Sequence, residues 1–522
     1  MTSSVGIDAR ALKRALSDGD EIALLDVREA GEFAAGHPFL ASSAPFSRFE
    51  VLLTRLVPRR NCRVVLYDDG LSGRAEHAAD LARRLGYGDI RVLIGGARGW
   101  AEAGFTLFEG VFVPSKAFGE LVEQAFEVPH ITPAALHERI QRGDALVIVD
   151  GRPFNEHTKM NVPGSICVPN GELAYRAEFY VPDEETPVVV HCAGRTRSIL
   201  GAQILRDMGI RNPVFALENG TQGWRLAGLE LERGSSRRVE AVPGLQALGA
   251  MTMQARALAE RWNVAFARAS DVNAWGRDET RTTYVFDVRS DLEFAAEHLD
   301  CAENAPGGQL IQSTDVWAAV RGARIVLIDD NEMRAVVVAR WLRLMGWEVY
   351  ALAGGQAAWP DIDVATSPVI VPSAVRNLES ALIGKELLLD TQPSMSFRAG
   401  HISGARWTLR SHLADTVKDV EIGRPIVLCG GDAVVDGLIA SDLRSMGYAD
   451  IRALKGDPAA WKAAGLPVVS TPNEPPDEEA IDFVFFTHDR HSGNLEAARQ
   501  YIAWETGLVA RLDAQERAVF AL

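Results

Sequence analysis

A fourfold internal repeat is the feature that most constrains the fold of this chain. An apolar run that ends in aspartate occurs four times, and in three of these an arginine follows two residues later. A second apolar run comes downstream in each repeat, followed by a segment with helical spacing that ends in glycine. The aspartates are Asp26, Asp150, Asp287 and Asp390, and the arginines are Arg28, Arg152 and Arg289. Short β-branched runs that alternate with helical segments predict βαβ units around a buried parallel sheet.

The repeat predicts an α/β fold of four tandem domains, each with a central, mostly parallel sheet flanked by helices. Each repeat is long enough for a hydrophobic core of its own. The segment 244–262 has the spacing of a helical linker, and a helical tail is predicted after the fourth repeat. The predicted domains are 1–125, 126–245, 260–368 and 372–472, followed by a connector and helical tail at 473–522.

Charge and composition narrow the possible partners. The 522 residues include 54 lysines and arginines against 70 aspartates and glutamates, a formal net charge of −16. Nucleic acid and anionic membrane surfaces require a basic face, so neither is expected as the main partner. No apolar run reaches the roughly 18 residues of a transmembrane helix. The N-terminal stretch also lacks the apolar run of a signal peptide, so the cytoplasm is the expected location.

The five cysteines lie far apart and form no C-x-x-C pair, so neither a metal site nor a disulfide framework is expected. They are Cys62, Cys167, Cys192, Cys301 and Cys429. In a reducing cytoplasm such a thiol stays available for chemistry.

Two recurring features are interpreted as structural. Each repeat has a tryptophan after a turn rich in glycine or asparagine, and we expect these indoles to pack in the core. The aspartate at the strand end, with its arginine, is interpreted as a salt bridge or a turn cap and not as a catalytic acid. The tryptophans are Trp100, Trp224, Trp359 and Trp461.

The repeats differ where the second apolar run ends, which is the edge of a parallel sheet at which ligands bind. Counting back 17 residues from the glycine that ends each helix gives Cys192 in the second repeat. The same count gives Asp69 in the first, Asp329 in the third and Gly430 in the fourth. Cys429 comes one position earlier and is expected to end a strand. Only the second repeat therefore places a nucleophile at this position.

The residues that follow Cys192 favour an ionised sulfur. The strand PVVVH, the turn CAGRTR and a helix that begins at about Ser198 bring backbone amides and the positive end of the helix dipole towards the thiol. Arg195 and Arg197 add positive charge, which favours a thiolate nucleophile. A lone cysteine after an apolar strand is more often inert, but two arginines and a helix start have little reason to surround a neutral thiol.

The other three repeats are expected to be inactive. A carboxylate at Asp69 or Asp329 would repel an anionic donor and has no sulfur to act as a nucleophile. It can instead satisfy the amides at the helix N-terminus. The fourth repeat has no arginine in its loop, and Asp432 and Asp436 make that loop negative.

These motifs resemble the rhodanese family of sulfurtransferases, in which a cysteine lies on a short loop between a strand and a helix. The resemblance covers nearly the whole chain as four tandem domains, and the loop CAGRTRS carries it most specifically. It implies that Cys192 becomes a persulfide, that one domain is active, and that the others are inactive copies. The implied substrate-binding residues are Ala193, Gly194, Arg195, Thr196, Arg197 and Ser198, and the candidates for a supporting role are Asp150, Arg152 and His191.

The second repeat departs from the family pattern at two positions. Asn161 replaces the usual histidine, and Gly151 replaces the usual valine. Both lie around the first strand of the crevice and bear on donor specificity more than on the nucleophile.

The leading hypothesis is a thiosulfate sulfurtransferase, or rhodanese, that uses no metal and no organic cofactor. Its partners would be a small anionic donor, thiosulfate or mercaptopyruvate, and a thiophilic acceptor such as cyanide or a thiol; the oligomeric state is left open. A cysteine-dependent phosphatase or arsenate reductase is a second hypothesis. Those loops have five residues between cysteine and arginine, whereas four separate Cys192 from Arg197 here. A non-catalytic scaffold of rhodanese domains is the third.

Overall fold

The computed structural model describes residues 5–365, 370–378, 386–488 and 494–522. They form two compact units. One comprises the described residues of 1–13, 23–111 and 368–485, and the other those of 14–22, 112–367 and 486–522. Within the described ranges, no helix has the length and apolar character needed to cross a membrane.

The chain contains four α/β modules, numbered here from the N-terminus. The first consists of β1 (Val5–Ile7), α1 (Ala9–Ala15), β2 (Ile22–Asp26), α2 (Ala30–Ala35), β3 (Ser42–Ser43), α3 (Phe49–Leu56), β4 (Arg63–Tyr67), α4 (Arg74–Arg84), β5 (Asp89–Leu93) and α5 (Gly96–Glu102). The second is preceded by α6 (Val113–Phe126) and consists of β6 (His130–Ile131), α7 (Pro133–Arg142), β7 (Val147–Asp150), α8 (Phe154–Lys159), β8 (Ile166–Cys167), β9 (Val188–His191), α9 (Thr196–Asp207), β10 (Val214–Leu217) and α10 (Gly220–Leu226).

The third module follows the helix α11 (Leu245–Trp262), which confirms the predicted helical linker. It consists of β11 (Ala265–Ala267), α12 (Ala269–Gly276), β12 (Thr283–Asp287), α13 (Asp291–Ala296), β13 (Glu303–Asn304), α14 (Gly307–Gln312), α15 (Thr314–Trp317), β14 (Val320–Arg321), β15 (Arg324–Ile328), α16 (Met333–Leu344) and β16 (Glu348–Leu352).

The fourth module and the tail complete the chain. The module consists of β17 (Arg376–Asn377), β18 (Leu387–Asp390), α17 (Ser394–Ala399), β19 (His401–Ile402), β20 (Arg406–Trp407), α18 (Leu413–Val417), β21 (Ile426–Cys429), α19 (Ala433–Ser445), β22 (Ile451–Leu454), α20 (Pro458–Ala463) and β23 (Val468–Val469). The tail contains α21 (Phe485–His488), α22 (Leu495–Arg511) and α23 (Ala514–Arg517).

Each module is built on a parallel sheet of the same strand order. In the second module the order is β6-β10-β9-β7-β8, and β9 lies between β10 and β7. The equivalent orders are β1-β5-β4-β2-β3 in the first module, β11-β16-β15-β12-β13 in the third and β17-β22-β21-β18-β20 in the fourth. A short antiparallel pair, β19 with β23, is added in the fourth. The predicted fold class, with four such modules and a helical C-terminal region, is confirmed.

The aspartate that ends the first central strand of each module is buried and bonded as the sequence predicts. In the second module Asp150 accepts hydrogen bonds from the backbone amide of Arg152 at 3.1 Å and from its guanidinium at 2.7 and 2.8 Å. The same guanidinium donates to the carbonyl of Met160, at the C-terminal end of α8. The pair therefore ties the strand end to the far end of the following helix.

The recurring tryptophans are core residues, as predicted. All four indoles are at least 94% buried. In three modules the indole nitrogen donates to a backbone carbonyl six residues away, at 2.9–3.2 Å. In the first and second modules this bond ties α5 or α10 to the segment that follows the helix, and in the fourth it ties α20 to the turn that precedes the helix.

The helix α6 lies in the range that the sequence analysis gives to the first domain, yet it packs against α9 of the second module. The tail helix α22 packs against α6 and α10. Both helices are parts of the compact unit that contains the second and third modules. They add a layer to the second module that the repeat pattern does not contain.

We predict that Arg289→Met lowers the free energy of unfolding by about 3–5 kcal/mol, because it leaves the buried carboxylate of Asp287 without its counter-charge. The control is Arg277→Met, which removes an exposed ion pair to Asp363 and should change the free energy by at most about 0.5 kcal/mol. Urea denaturation followed by tryptophan fluorescence measures both. Equal effects would contradict the structural role of the buried pair.

Candidate active site

Cys192 is the first residue after the central strand β9, at the carboxyl edge of the second sheet. The strand end is fixed because Gly151 donates its amide to the carbonyl of His191 at 2.9 Å. The loop is short, since α9 begins at Thr196. We expected the helix to start at about Ser198, so the first helical turn lies closer to the sulfur than predicted.

The helix α10 holds the backbone of the loop 192–195. The amide of Thr221 donates to the carbonyl of Cys192 at 2.8 Å, and the amide of Gln222 donates to the carbonyl of Ala193 at 3.1 Å. Gly220 has a φ of +52°, and a Cβ at this position would lie 2.3 Å from the Cys192 carbonyl oxygen. Glycine is therefore required for α10 to approach the loop this closely.

The sulfur of Cys192 lies at the N-terminal end of α9, beside a hydroxyl group that donates to it. Ser198 donates its hydroxyl to Sγ at 3.1 Å. The first amides of α9 have no acceptor within the helix, and the helix dipole adds partial positive charge at this end. Cys192 is only 2% exposed, so these interactions act with little screening by water.

Arg195 is bound by two carboxylates of α6. Its guanidinium donates to Glu120 at 2.7 and 3.0 Å, makes a further ion pair with Glu123, and reaches Asn219 at 3.3 Å. Burial raises the pKa of Glu120 to about 7, although Arg195 opposes this shift. Arg195 thus fixes the loop to the additional helix layer.

Arg197 forms a buried ion pair with Glu156 of α8, with bonds of 2.7 and 2.9 Å. Burial lowers the pKa of Arg197, but Glu156 and Cys192 raise it further, so the guanidinium stays charged. The same pair recurs as Arg334 with Glu293 in the third module and as Arg74 with Glu32 in the first, where no cysteine is present at the site. The pair is therefore part of the fold, and a role of either arginine in holding an anionic donor stays a prediction.

The tail helix α22 contributes a buried carboxylate beside the loop. Glu505 is fully buried; its Oε1 accepts a hydrogen bond from the Thr196 hydroxyl at 2.8 Å and pairs with Lys116 of α6 at 3.1 Å. A Cβ at Gly194 would lie 3.1 Å from the other carboxylate oxygen. The repeat pattern of the sequence gives no indication of this contact, because α22 lies outside the repeats.

The candidates for a supporting role lie one layer behind the sulfur. Burial alone would raise the pKa of Asp150, but His191, Arg152 and His157 hold it below its ordinary value. Burial lowers the pKa of His191 to about 4, and its Nε2 lies 3.8 Å from Asp150. These groups lie at the strand ends. Among the residues that the structure describes, Ser198 donates to Sγ, and no hydrogen bond joins these three side chains to the sulfur.

The strand register corrects one equivalence. The carbonyl of Tyr67 accepts from Val27 as that of His191 accepts from Gly151, so the residue equivalent to Cys192 in the first module is Asp68 and not Asp69. The count from the helix-ending glycine was wrong by one residue. The first module has six residues between strand and helix, 68–73, where the second has four, 192–195, but its helix α4 is one residue shorter than α9.

In the other three modules, the position equivalent to Cys192 holds either an aspartate or a glycine, which has no side chain. Asp329 accepts bonds from the amides of Glu332, Arg334 and Ala335 at 2.7–3.2 Å, which confirms the predicted built-in anion at the helix N-terminus. In the first module Asp68 accepts from the amide of Ala75 at 3.1 Å. These carboxylates occupy the position that the sulfur has in the second module.

In the fourth module Cys429 ends β21, as predicted, and Gly430 takes the position of Cys192. Burial, with Asp390 and Asp436 nearby, raises the pKa of Cys429 far above its ordinary value. Asp432 caps α19 by accepting from the amides of Val434 and Val435. This environment disfavours the thiolate form of Cys429, and the inactivity of the fourth module stays a prediction.

Sequence reasoning missed the carboxylates that surround the loop. Glu156 could have been found, because a glutamate recurs six residues after the strand-end aspartate as Glu32 and Glu293. Glu120, Glu123 and Glu505 belong to helices outside the repeat. No periodic signal connects them with the site.

A family model described as the Rhodanese-like domain matches residues 8–103, 132–227, 270–361 and 375–464. Two curated proteins are similar to parts of the chain. An HTH-type transcriptional regulator of Mycobacterium tuberculosis, Rv0324, is 35% identical over 107 residues, which is 20% of this chain and 45% of that protein. A putative sulfur carrier protein of Bacillus subtilis, YrkF, is 28% identical over 102 residues, 20% of this chain and 54% of that protein. The matches thus span about half the length of these relatives.

One solved structure is similar over the whole chain. The crystal structure of a thiosulfate sulfurtransferase from Pseudomonas aeruginosa is 37% identical, with a TM-score of 0.89, and the match covers 99% of each chain. The similarity therefore includes the helices outside the four matched domains.

We predict that the stability of the protein falls more steeply with falling pH than that of His191→Ile, which copies the residue at this position in the third module. His191 has a folded pKa of about 4 against an ordinary 6.5, so between these values the unfolded chain binds a proton that the folded chain does not. Stability from this group is complete above pH 6.5 and is lost as the pH falls towards 4. Urea denaturation across this range measures both proteins, and parallel pH profiles would contradict the prediction.

Proposed function

This chain belongs to the rhodanese-like domain family, and on that premise we propose that it is a sulfurtransferase with Cys192 as its nucleophile. The observation that carries the proposal is the ionisable sulfur at the N-terminus of α9, where Ser198 donates to it at 3.1 Å. The other three modules have Asp68, Asp329 and Gly430 at the same position. One module is therefore catalytic and three are not.

We propose a reaction in two covalent steps. The Cys192 thiolate attacks the outer sulfur of the donor, thiosulfate, and the sulfur–sulfur bond of the donor breaks. Sulfite leaves with the bonding electron pair, and a persulfide anion remains on Cys192. A thiophilic acceptor, cyanide or a thiolate, then attacks the outer sulfur of the persulfide. Thiocyanate or an acceptor persulfide leaves, and the Cys192 thiolate is regenerated.

The chain's own groups stabilise the charges of these steps. Amides of the loop and of the first turn of α9 bind the negative outer sulfur, and the Ser198 hydroxyl supports the attacking sulfur. Arg197 is paired with Glu156, so it contributes through its field and through the position of the first turn. Preorganised dipoles of this kind need no rearrangement when charge develops.

Thiosulfate is proposed as the donor because the P. aeruginosa structure, which matches the whole chain, is that of a thiosulfate sulfurtransferase. Mercaptopyruvate is the alternative anionic donor. A reducing compartment such as the cytoplasm suits the mechanism, because the thiolate must not be oxidised to a disulfide. With a net charge of −16, the chain is not expected to use nucleic acid as its partner.

We predict that Cys192→Ser abolishes thiosulfate:cyanide turnover, because a hydroxyl cannot form the persulfide. The matched control is Cys429→Ser, which changes a buried cysteine at the end of the equivalent strand and should keep a near-native rate. Steady-state formation of thiocyanate measures both. Equal losses in the two variants would contradict the assignment of a single catalytic module.

We also predict that thiosulfate treatment of the native chain adds the mass of one sulfur atom, which intact mass spectrometry detects and which is absent in Cys192→Ser. A non-catalytic scaffold would show no added mass in either protein. Hydrolysis of an aryl phosphate that excess thiosulfate does not inhibit would favour the phosphatase alternative instead.

A further inference from the structure

Asn170 contacts the first turn of α9, the helix that follows Cys192. It begins a 3-10 turn, Asn170–Glu172, and is 97% buried. Its side-chain amide donates to the carbonyl of Arg197 at 2.8 Å. Because that turn also carries Ser198, which donates to the sulfur at 3.1 Å, the position of Asn170 determines where this donor lies.

The side chain of Asn170 fits only because two neighbours are glycines. A Cβ at Gly151 would lie 2.1 Å from the Asn170 side-chain oxygen, and a Cβ at Gly201 would lie 2.7 Å from it. Real Cβ atoms do not approach other atoms this closely. The departure from the family pattern at Gly151 is therefore the condition for the asparagine contact.

The same backbone hydrogen bond identifies the equivalent positions in two other modules. Asn170 donates its amide to the carbonyl of Gly151 at 3.0 Å, Gly307 donates to Val288 at 3.1 Å in the third module, and Phe46 donates to Val27 at 3.1 Å in the first. Of these three modules, the glycine–asparagine combination is present in the one that has the cysteine, and β-branched valine takes the first position in the other two.

The third module holds the turn that carries Asn170. Arg334 is fully buried and donates to both carboxylate oxygens of Glu172 at 3.1 Å. Its guanidinium also lies 4.0 Å from the ring centre of Tyr175. The backbones meet as well, because a Cβ at Gly171 would lie 2.7 Å from the amide nitrogen of Gly308.

Arg334 is the counterpart of Arg197, since each is the sixth residue after the end of its central strand. In the second module this arginine belongs to the first turn of the catalytic helix. In the third module, where an aspartate replaces the nucleophile, the equivalent arginine keeps its pairs with Glu293 and Asp330 and also binds Glu172 of the second module. The site of the third module, which has no nucleophile, thus binds the segment Asn170–Glu172.

We propose that the third module is a positioning element of the catalytic site: Arg334 holds Glu172, the turn carries Asn170, and Asn170 fixes the first turn of α9 against Cys192. Asn170 and Arg334 are positioning residues, because neither contacts the sulfur. This proposal rests on the sulfur-transfer function proposed above. It gives the third module, which has no nucleophile at the equivalent position, a role in the reaction of the second.

The test replaces the pair of the second module with that of the third, as Gly151→Val combined with Asn170→Gly in the full chain. We expect the rate of persulfide formation from thiosulfate, followed by quenched-flow mass spectrometry, to fall about tenfold or more, with a smaller change in KM for thiosulfate. Circular dichroism establishes that the variant is folded. Asn170→Ala adds no volume to the site and should show the same loss of rate. It therefore tests the role of Asn170 even if the double variant does not fold.

The link to the third module is tested with Arg334→Gln and its conservative partner Arg334→Lys. We expect Arg334→Gln to slow persulfide formation and Arg334→Lys to restore part of the rate. Arg334→Gln combined with Asn170→Ala should be no slower than Asn170→Ala alone, because both act through one contact. Trp359→Phe is the control, since it weakens the core of the third module without touching Glu172 and should keep the native rate.

The outcomes separate the two proposals. If the native chain forms no persulfide, the proposed function is wrong. If it forms one and Asn170→Ala or the double swap forms it at the native rate, the positioning role of Asn170 is wrong. Additive losses in Asn170→Ala and Arg334→Gln, or an equal loss in Trp359→Phe, would overturn the role of the third module.

Discussion

The buried ion pair between Asp150 and Arg152 determines how the rest of the second module meets its active-site loop. The carboxylate closes the turn after β7, and the guanidinium extends to the carbonyl at the end of α8. The C-terminal end of α8 is thereby fixed to the strand end, and Glu156 on that helix pairs with Arg197. The ion pair at the sheet edge thus fixes the position of one short helix, and that helix in turn fixes the position of the first turn of α9, next to the sulfur.

The other modules retain this arrangement with small changes. Arginine donates to the strand-end aspartate and to the carbonyl eight residues on in the first and third modules, and Gln392 makes the same two contacts in the fourth. Without the guanidinium, burial raises the pKa of Asp390 to about 6. The fourth module therefore keeps the hydrogen-bond geometry of the pair, but its aspartate has no positively charged partner. This agrees with a structural role for the pair and not with a role in catalysis.

The sequence is sufficient to predict the structural features that the four copies share. The strand-end aspartates, the tryptophans of the core, the strand position of Cys429 and the carboxylate cap at Asp329 all follow from comparing the four copies. The start of α9 and the equivalence of Asp69 were wrong, because loop lengths differ between copies and a residue count cannot detect this. The partners of Arg195 and Thr196 could not be predicted, since Glu120 and Glu505 come from helices with no counterpart in the repeat.

The hydrogen bond between Thr196 and Glu505 has a consequence for the synthesis of the protein. The two residues are 309 positions apart in the chain, with the third and fourth modules between them. When the second module leaves the ribosome, its loop has neither this carboxylate nor the helix that bears it. The nascent module can therefore fold its sheet early, but its reactive centre reaches its final form only after translation of α22.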